Sequence, residues 1–356
     1  MRRHLGARES HSDGQNVITR HHESMAGHTT LKVGGPAETF VVAETEQELI
    51  DTVRENDERG VPVFVFGAGS NIIFNDLGWN GVVVHVATKG MTQETAACAG
   101  ATVTVAAGET MDDFVQYAVD HEWSGIEALS GIPGSVGATP IQNVGAYGQD
   151  VSQTIARVRA YDRESKQIRT FYAADCQFGY RTSVFKQHAP RLVILDVQFQ
   201  LRLGAQSMPI AYPELAAKLG IAVGGRSTSK AVRAAVLELR ASKGMVLDER
   251  DHDTWSVGSF FVNPTVERWL APANAPQWDA GNDRVKVSAA WLVENSGTPK
   301  GYAIGNAATS SKHALSITNR GGASADSVME LARLIQERVR VAFSIDLQIE
   351  PQYVTH

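Results

Sequence analysis

The sequence predicts an α+β protein, on three observations. Strand-like and helix-like segments mix along the chain without the regular βαβ alternation that a doubly wound parallel sheet requires. Two glycine-rich loops, residues 67–71 and 125–150, break the pattern where neither helix nor ladder can continue. The 356 residues, 43% hydrophobic and 20% charged, are an ordinary globular composition with room for more than one core.

The elements follow in order. Residues 1–25 are polar, rich in His and Arg and without periodicity, which predicts a flexible leader; lacking an apolar stretch, they form no signal peptide. Gly34, Gly35 and Pro36 make a turn before a short strand over 38–43. Thr45 and Glu48 form a capping box, and Leu49, Ile50 and Val53 give the helix behind it one apolar face until Gly60 ends it. VFVF (63–66) and VVVHV (82–86) read as buried strands around the loop GAGSN. ATVTVAAG (101–108) leads into a helix with Met111, Phe114, Val115 and Ala118 on one face. Beyond the second glycine loop, strands are expected at 158–162, 168–172 and 192–201, and two helices within 213–244. A third unit opens near DHDTWSVGSFF, carries a helix around 289–294 and a longer one over 326–343, and closes with a strand at LQIE (347–350). There is no internal repeat and no low-complexity block.

Several function classes drop out. A net charge of -6 argues against nucleic acid as the main partner. No apolar run approaches the roughly 20 residues that span a bilayer. Cys98 and Cys176 make neither a disulfide framework nor a zinc site. His22-Glu23 and His121-Glu122 lack the second histidine of HExxH, so no metal site is expected. A cytoplasmic enzyme or binding protein is what remains.

The chemistry concentrates in GIEALSGIPGSVGATPIQNVGAYGQD (125–150). Gly131, Gly134 and Gly137 recur at every third residue, with Pro133 fixing one φ among them. Such backbone comes close to something, and consecutive free N–H groups would make an anion-binding concavity for the diphosphate of a nucleotide cofactor. Gly67-Ala68-Gly69-Ser70-Asn71 follows a strand, but Ile72 opens another strand-like run where a dinucleotide fold would start a helix. Alone that loop reads as a tight turn; paired with the second, it reads as half of a cradle. Arg181, beside Tyr180, offers a permanently charged fork for a carboxylate, phosphate or enolate, or is a surface Arg next to a packed Tyr. Ser259, after Gly258 and before two phenylalanines, is either a proton donor or a hydroxyl satisfied by nearby backbone. Glu350 is either solvent-facing or inward and functional.

Taken together, TTLKVGGPAETF, FGAGSNIIF, SGIPGSVGATPIQNVGAYG, FGYRTSVFK, GSFFVNP, KVSAAWLVENSG, KGYAIGNAA and LQIEP resemble the UDP-N-acetylenolpyruvoylglucosamine reductase family, in order, from about Thr29 to Val354. The resemblance implies an FAD-binding region of the vanillyl-alcohol-oxidase (PCMH) type in two subdomains, 26–95 and 96–245, the second with a tyrosine loop near 205–222. It further implies a separate α+β substrate-binding domain over 246–345, with a C-terminal strand and tail at 346–356. Gly67, Gly69, Ser70, Asn71, Gly131, Pro133, Gly134, Ser135, Gly137, Gln142, Asn143, Gly145, Ala146 and Tyr147 then become FAD contacts.

The implied reaction, a step of peptidoglycan precursor synthesis, runs in two halves. NADPH gives a hydride to the flavin, and flavin N5 passes it to the vinyl carbon of UDP-N-acetylglucosamine enolpyruvate, forming UDP-N-acetylmuramate. Arg181, Ser259 and Glu350 match the catalytic positions, with Ser259 the proton donor to the neighbouring carbon. Tyr180 and Asn263 match substrate contacts, and Tyr212 fits the tyrosine loop that closes over the sugar nucleotide. Lys243 lies where the family puts a basic diphosphate contact, and His313 occupies a substrate-binding position where relatives carry Gln. A monomer is expected. A flavoprotein oxidase of the same fold and a flavin- or sugar-nucleotide-binding regulator without chemistry are the rivals. Intact Arg181, Ser259 and Glu350 count against the regulator, and a yellow colour on purification would count against a flavin-free binder.

Overall fold

The computed structural model describes residues 17–98 and 100–355. They form two compact units, each assembled from separate stretches of chain. Unit 1 takes the described residues up to Glu23 with Ala37–Ala68 and Asn80–Ala241; unit 2 takes Ser24–Pro36, Gly69–Trp79 and the chain from Ser242 onward. Contiguous segments had been expected. Instead residues 26–36 and 69–79, expected in the first subdomain, and the tail after 345 all belong to unit 2.

In unit 1 a four-stranded sheet runs in the order Ile18–Ser24, Pro36–Ala43, Trp79–Val86, Val63–Phe66, the last two parallel. Helix α1 (Glu46–Glu58) starts on the expected capping box, Thr45 with Glu48, and buries Leu49, Ile50 and Val53. A second, antiparallel sheet runs Gln167–Tyr172, Ile155–Asp162, Leu192–Leu203, Gly100–Ala106, Met91–Ala96. Against it α2 (Met111–Asp120) buries Phe114, Val115 and Ala118, and Phe114 meets Phe199 at 4.8 Å between ring centroids. One apolar core joins both sheets and both helices. After the short α3 (Val184–Gln187), α4 (Pro213–Lys218) and α5 (Ser229–Ser242) share a small core of their own with Ala128 and Ile210.

Unit 2 carries α6 (Ala289–Asn295) and α7 (Ala325–Phe343) over a core in which Leu31, Val33 and Ile73 pack with Phe260, Phe261, Leu292, Leu331 and Ile335. Its strands form two small antiparallel sheets and one parallel pair, Gln352–Val354 with Ile72–Phe74. Ser324 caps α7, and Asp76 accepts from Ala325 N–H at 2.8 Å and Asp326 N–H at 2.9 Å, placing a carboxylate on the positive helix end.

Two expectations need correction. Residues 1–16 of the leader lie outside the described residues, but its last part is the strand Ile18–Ser24, followed by fully buried Met25. That strand is at a sheet edge and mostly polar, so it leaves no period-2 signal. The final strand is Gln352–Val354, not 347–350. Leu347 to Glu350 alternates like a strand, yet it pairs with the Phe260–Val262 backbone only through Val262 N–H to Gln348 O, Glu350 N–H to Phe260 O and one bridge, Phe261 to Ile349. No helix among the described residues is long and apolar enough to cross a membrane.

Candidate functional site

The cofactor residues predicted in unit 1 come together where the two loops touch. A Cβ added to Gly67 would sit 2.0 Å from Ser135 Oγ and 3.1 Å from Ser135 Cβ, so the first loop lies directly on the Ser135 side chain of the second. Gly134 takes φ +131°, a conformation glycine alone adopts readily. The second loop is moored on the turn before α2. Gly134 O accepts from Met111 N–H (2.9 Å), Val136 N–H donates to Glu109 O (2.8 Å) and Gly137 N–H to Ala107 O (2.9 Å). Gly137 is glycine for packing: its Cβ would fall 2.5 Å from Ala107 Cβ.

This corrects one expectation. The run was read as consecutive free donors, but Gly131, Val136 and Gly137 spend theirs on the protein. Among the described residues the N–H groups of Gly67, Ala68, Gly134 and Ser135 have no protein acceptor. Four such donors at the meeting point of two loops form the concavity that an anionic oxygen fits, so the residues present suit a diphosphate.

Past the loop, Gln142 lies half-buried in a turn, and Asn143 is buried and committed to the protein: Nδ2 donates to Gly179 O (3.2 Å) and Oδ1 accepts from Ser152 N–H (3.1 Å). Gly145-Ala146 pairs with Gln149-Asp150 around Tyr147 (φ +50°) and Gly148 (φ +87°), the two positive φ values of a type I′ hairpin. That turn aims the Tyr147 ring at Tyr212, edge-on at 5.6 Å. Burial pushes the Tyr147 phenol up to about 12, against the opposing pull of Arg240. Burial raises the Tyr212 phenol too. Tyr212 stands at the N-terminus of α4, within the loop expected to close over substrate.

Arg181 adopts φ +54°, an unfavourable region for a residue with a Cβ, and its fork reaches Gly145 O at 3.5 Å from both terminal nitrogens. Strain of this kind persists where surrounding structure holds it and clusters at functional sites. Tyr180 beside it is exposed, with the Arg181 guanidinium 5.8 Å from its ring centre.

In unit 2 the Glu350 segment and the turn of His313 lie against Gly258 to Phe261, which carries Ser259. Glu350 N–H donates to Phe260 O (3.0 Å), so the segment holding Glu350 runs beside the one holding Ser259. Phe260 N–H donates to Leu315 O (2.8 Å) and Ser316 Oγ to Gly258 O (2.9 Å), drawing in the turn that carries His313. Ser259 is half-buried, and among the described residues its hydroxyl has no hydrogen-bond partner. The reading of a hydroxyl satisfied by backbone therefore fails. Asn263 Oδ1 accepts from Ala289 N–H (2.9 Å) at the start of α6, which fixes its carboxamide. Lys243 lies half-buried near the start of this unit's longest stretch. Gly69, at φ +63°, is glycine because a Cβ would meet His28 O at 2.1 Å. Ser70 and Asn71 follow it, their N–H groups without protein acceptors among the described residues.

Sequence reading missed three charged residues beside the second loop. Asp112, in the first turn of α2, accepts from Gly131 N–H at 2.6 Å and pairs with both terminal nitrogens of Arg233. Arg240 Nε donates to Gly131 O at 3.2 Å, and burial lowers its guanidinium against the pull of Tyr147 and Asp112. Arg233 and Arg240 sit seven apart on α5, and both are buried. Charged residues spaced like an apolar face were the available signal.

Comparison with known proteins bears on both units. Residues 37–170 match the model of an FAD binding domain, and residues 250–354 match the C-terminal domain of UDP-N-acetylenolpyruvoylglucosamine reductase. The chain is 51% identical over 329 residues to the UDP-N-acetylenolpyruvoylglucosamine reductase of Cutibacterium acnes, covering 92% of this chain and 88% of that one. It is 44% identical to that of Streptomyces coelicolor over 98% of this chain and 94% of the relative. The crystal structure of the Thermus caldophilus reductase superposes with a TM-score of 0.65 at 25% identity, covering 93% and 97% of the two chains. The α+β class and the FAD-binding region of the vanillyl-alcohol-oxidase type stand.

Proposed function

The chain belongs to the UDP-N-acetylenolpyruvoylglucosamine reductase family of FAD-dependent oxidoreductases, and on that premise we propose how its residues divide the reduction of the enolpyruvyl sugar nucleotide. FAD, when bound, supplies the hydride chemistry, drawing on NADPH and delivering to the terminal vinyl carbon. The free N–H groups of Gly67, Ala68, Gly134 and Ser135 hold its diphosphate.

Hydride addition to the vinyl carbon leaves negative charge on the adjacent carbon and the carboxylate attached to it. Arg181 carries a permanent charge in a planar fork and stabilises that enolate. Ser259 delivers the proton to the adjacent carbon, completing UDP-N-acetylmuramate. A serine hydroxyl is a weak acid, so the transfer depends on charge stabilisation from Arg181 and polarisation of the substrate by Glu350. Tyr180, Tyr212, Lys243, Asn263 and His313 bind the sugar nucleotide. The protein acts as a monomer in the cytoplasm, where such precursors are made.

The observation that carries this reading is the unpartnered, half-buried Ser259 hydroxyl beside the Glu350 segment. Anaerobic stopped-flow absorbance tests it: NADPH should bleach the flavin band, and UDP-N-acetylglucosamine enolpyruvate should restore it. Bleaching without recovery would leave a flavoprotein with another electron acceptor.

A further inference from the structure

The second glycine loop is held by more than its own backbone. Gly131 takes φ +70° and is gripped on both sides: its N–H goes to Asp112 Oδ1 (2.6 Å) and its C=O receives Arg240 Nε (3.2 Å). Asp112 is itself gripped. Arg233 reaches it through both terminal nitrogens and donates from Nε to Gln116 Oε1 (2.6 Å), so the guanidinium spans one turn of α2. The unsatisfied donors of Gly134 and Ser135 follow three and four residues after Gly131. A carboxylate this close to a phosphate cradle is a liability, because like charges repel strongly where water is scarce. Arg233 removes the liability while fixing the carboxylate's direction.

We propose that Asp112 and Arg233 are positioning residues for FAD: Asp112 sets the path of Gly131 into the diphosphate cradle, and Arg233 both orients Asp112 and cancels its charge. The proposal rests on the reading that this loop holds the diphosphate. Burial would raise the Asp112 carboxyl, but Arg233 and the Gly131 N–H outweigh it and hold it below the usual range, so the charge is present at neutral pH. Residues that orient metal ligands change metal affinity about 10- to 100-fold, and an effect of that size is expected for a pair that orients a phosphate-binding loop.

The test measures FAD dissociation from the full-length protein by recovery of flavin fluorescence, alongside the unfolding midpoint of the apoprotein. Arg233→Met should weaken FAD binding by about 10- to 100-fold, because it strands the Asp112 charge. Adding Asp112→Asn should restore about tenfold of that loss, since the carboxamide still accepts from Gly131 without the charge. Arg233→Lys, which keeps the charge and loses the fork, should fall between Arg233→Met and the parent. FAD binding by Arg233→Met as tight as the parent's would overturn the proposal. So would a double variant weaker than Arg233→Met, or lower midpoints in every variant with unchanged FAD affinity, which is what a merely structural pair would give. Gly134→Val separates the underlying reading: undiminished FAD binding there places the diphosphate elsewhere and overturns both, whereas its loss beside an inert Arg233 overturns only this proposal.

Discussion

Replacing Gly67 with alanine tests the apposition of the two loops directly. Its φ lies outside the left-handed region, so alanine adds no backbone strain and the perturbation is purely steric. The added Cβ would stand 2.0 Å from Ser135 Oγ, well inside any real contact, and 3.1 Å from Ser135 Cβ, which a shift of a few tenths of an ångström relieves. Nearly all of the collision is thus with one oxygen. Overpacking of this sort costs about 1–3 kcal/mol. In the apoprotein the loops can part; with FAD across both they cannot, so the cost falls on cofactor affinity. At 1.4 kcal/mol per tenfold, Gly67→Ala should weaken FAD binding by about fivefold to a hundredfold. Ser135→Ala removes the oxygen, and Gly67→Ala/Ser135→Ala should recover about 1 kcal/mol relative to the sum of the single changes. FAD titrations of the four proteins, with apoprotein melting as control, give the cycle. Strict additivity, or a Gly67→Ala protein that binds FAD as tightly as the parent, would refute the reasoning.

Three further outcomes are expected. Ser259→Ala should leave flavin reduction by NADPH nearly unchanged while slowing reoxidation by the enolpyruvyl substrate about 10²- to 10⁴-fold; equal slowing of both halves in stopped flow would remove its proton-donor role. Arg181→Lys should slow the same half-reaction about 10²-fold or more, because a point charge cannot reproduce the fork, and normal reoxidation kinetics would count against enolate stabilisation there. Asp162 is fully buried between Arg191 and Arg169, and Arg191, the stronger influence, holds its carboxyl far below the usual range. A carboxyl depressed in the folded state stabilises fully above its unfolded value of about 4 and loses that contribution as pH falls. Asp162→Asn should therefore cost about 2–3 kcal/mol in urea unfolding at neutral pH, under the roughly 3–5 of a fully buried pair because both arginines reach water. It should also flatten the decline in stability below pH 4; an unchanged acid profile would assign that decline to other carboxylates.

Much of this was legible in the sequence because it is local. The Thr45–Glu48 box, the apolar faces of α1, α2 and α7, and the buried strands all depend on neighbours a few residues away. The glycine spacing pointed to the right loop, yet not to which donors stay free. That is decided by acceptors on Asp112, Glu109 and Ala107, brought in by the strand and helix before the loop. Polar edge strands such as Ile18–Ser24 and the wholly exposed Met91–Ala96 carry no hydrophobic period to read. The hold of α5 on Gly131 and Asp112 was equally invisible, since it joins residues more than 100 positions apart.

The interleaved build of unit 2 governs how the chain must be made. Asn319 donates to the carbonyls of Leu31 and Lys32, 288 and 287 positions earlier, and Asp76 waits for a helix end about 250 positions later. At about 5–20 residues per second, a ribosome would deliver those partners roughly 15 to 60 seconds after the early segments emerge. Throughout that interval Leu31, Val33 and Ile73, all buried in the finished core, lack their partners from Val257 onward. A fragment beginning at Ser242 would lack those same side chains and expose the surface they cover. Unit 2 thus completes last although two of its segments emerge early, and early chaperone protection during synthesis belongs to segments 24–36 and 69–79 rather than to the long C-terminal stretch.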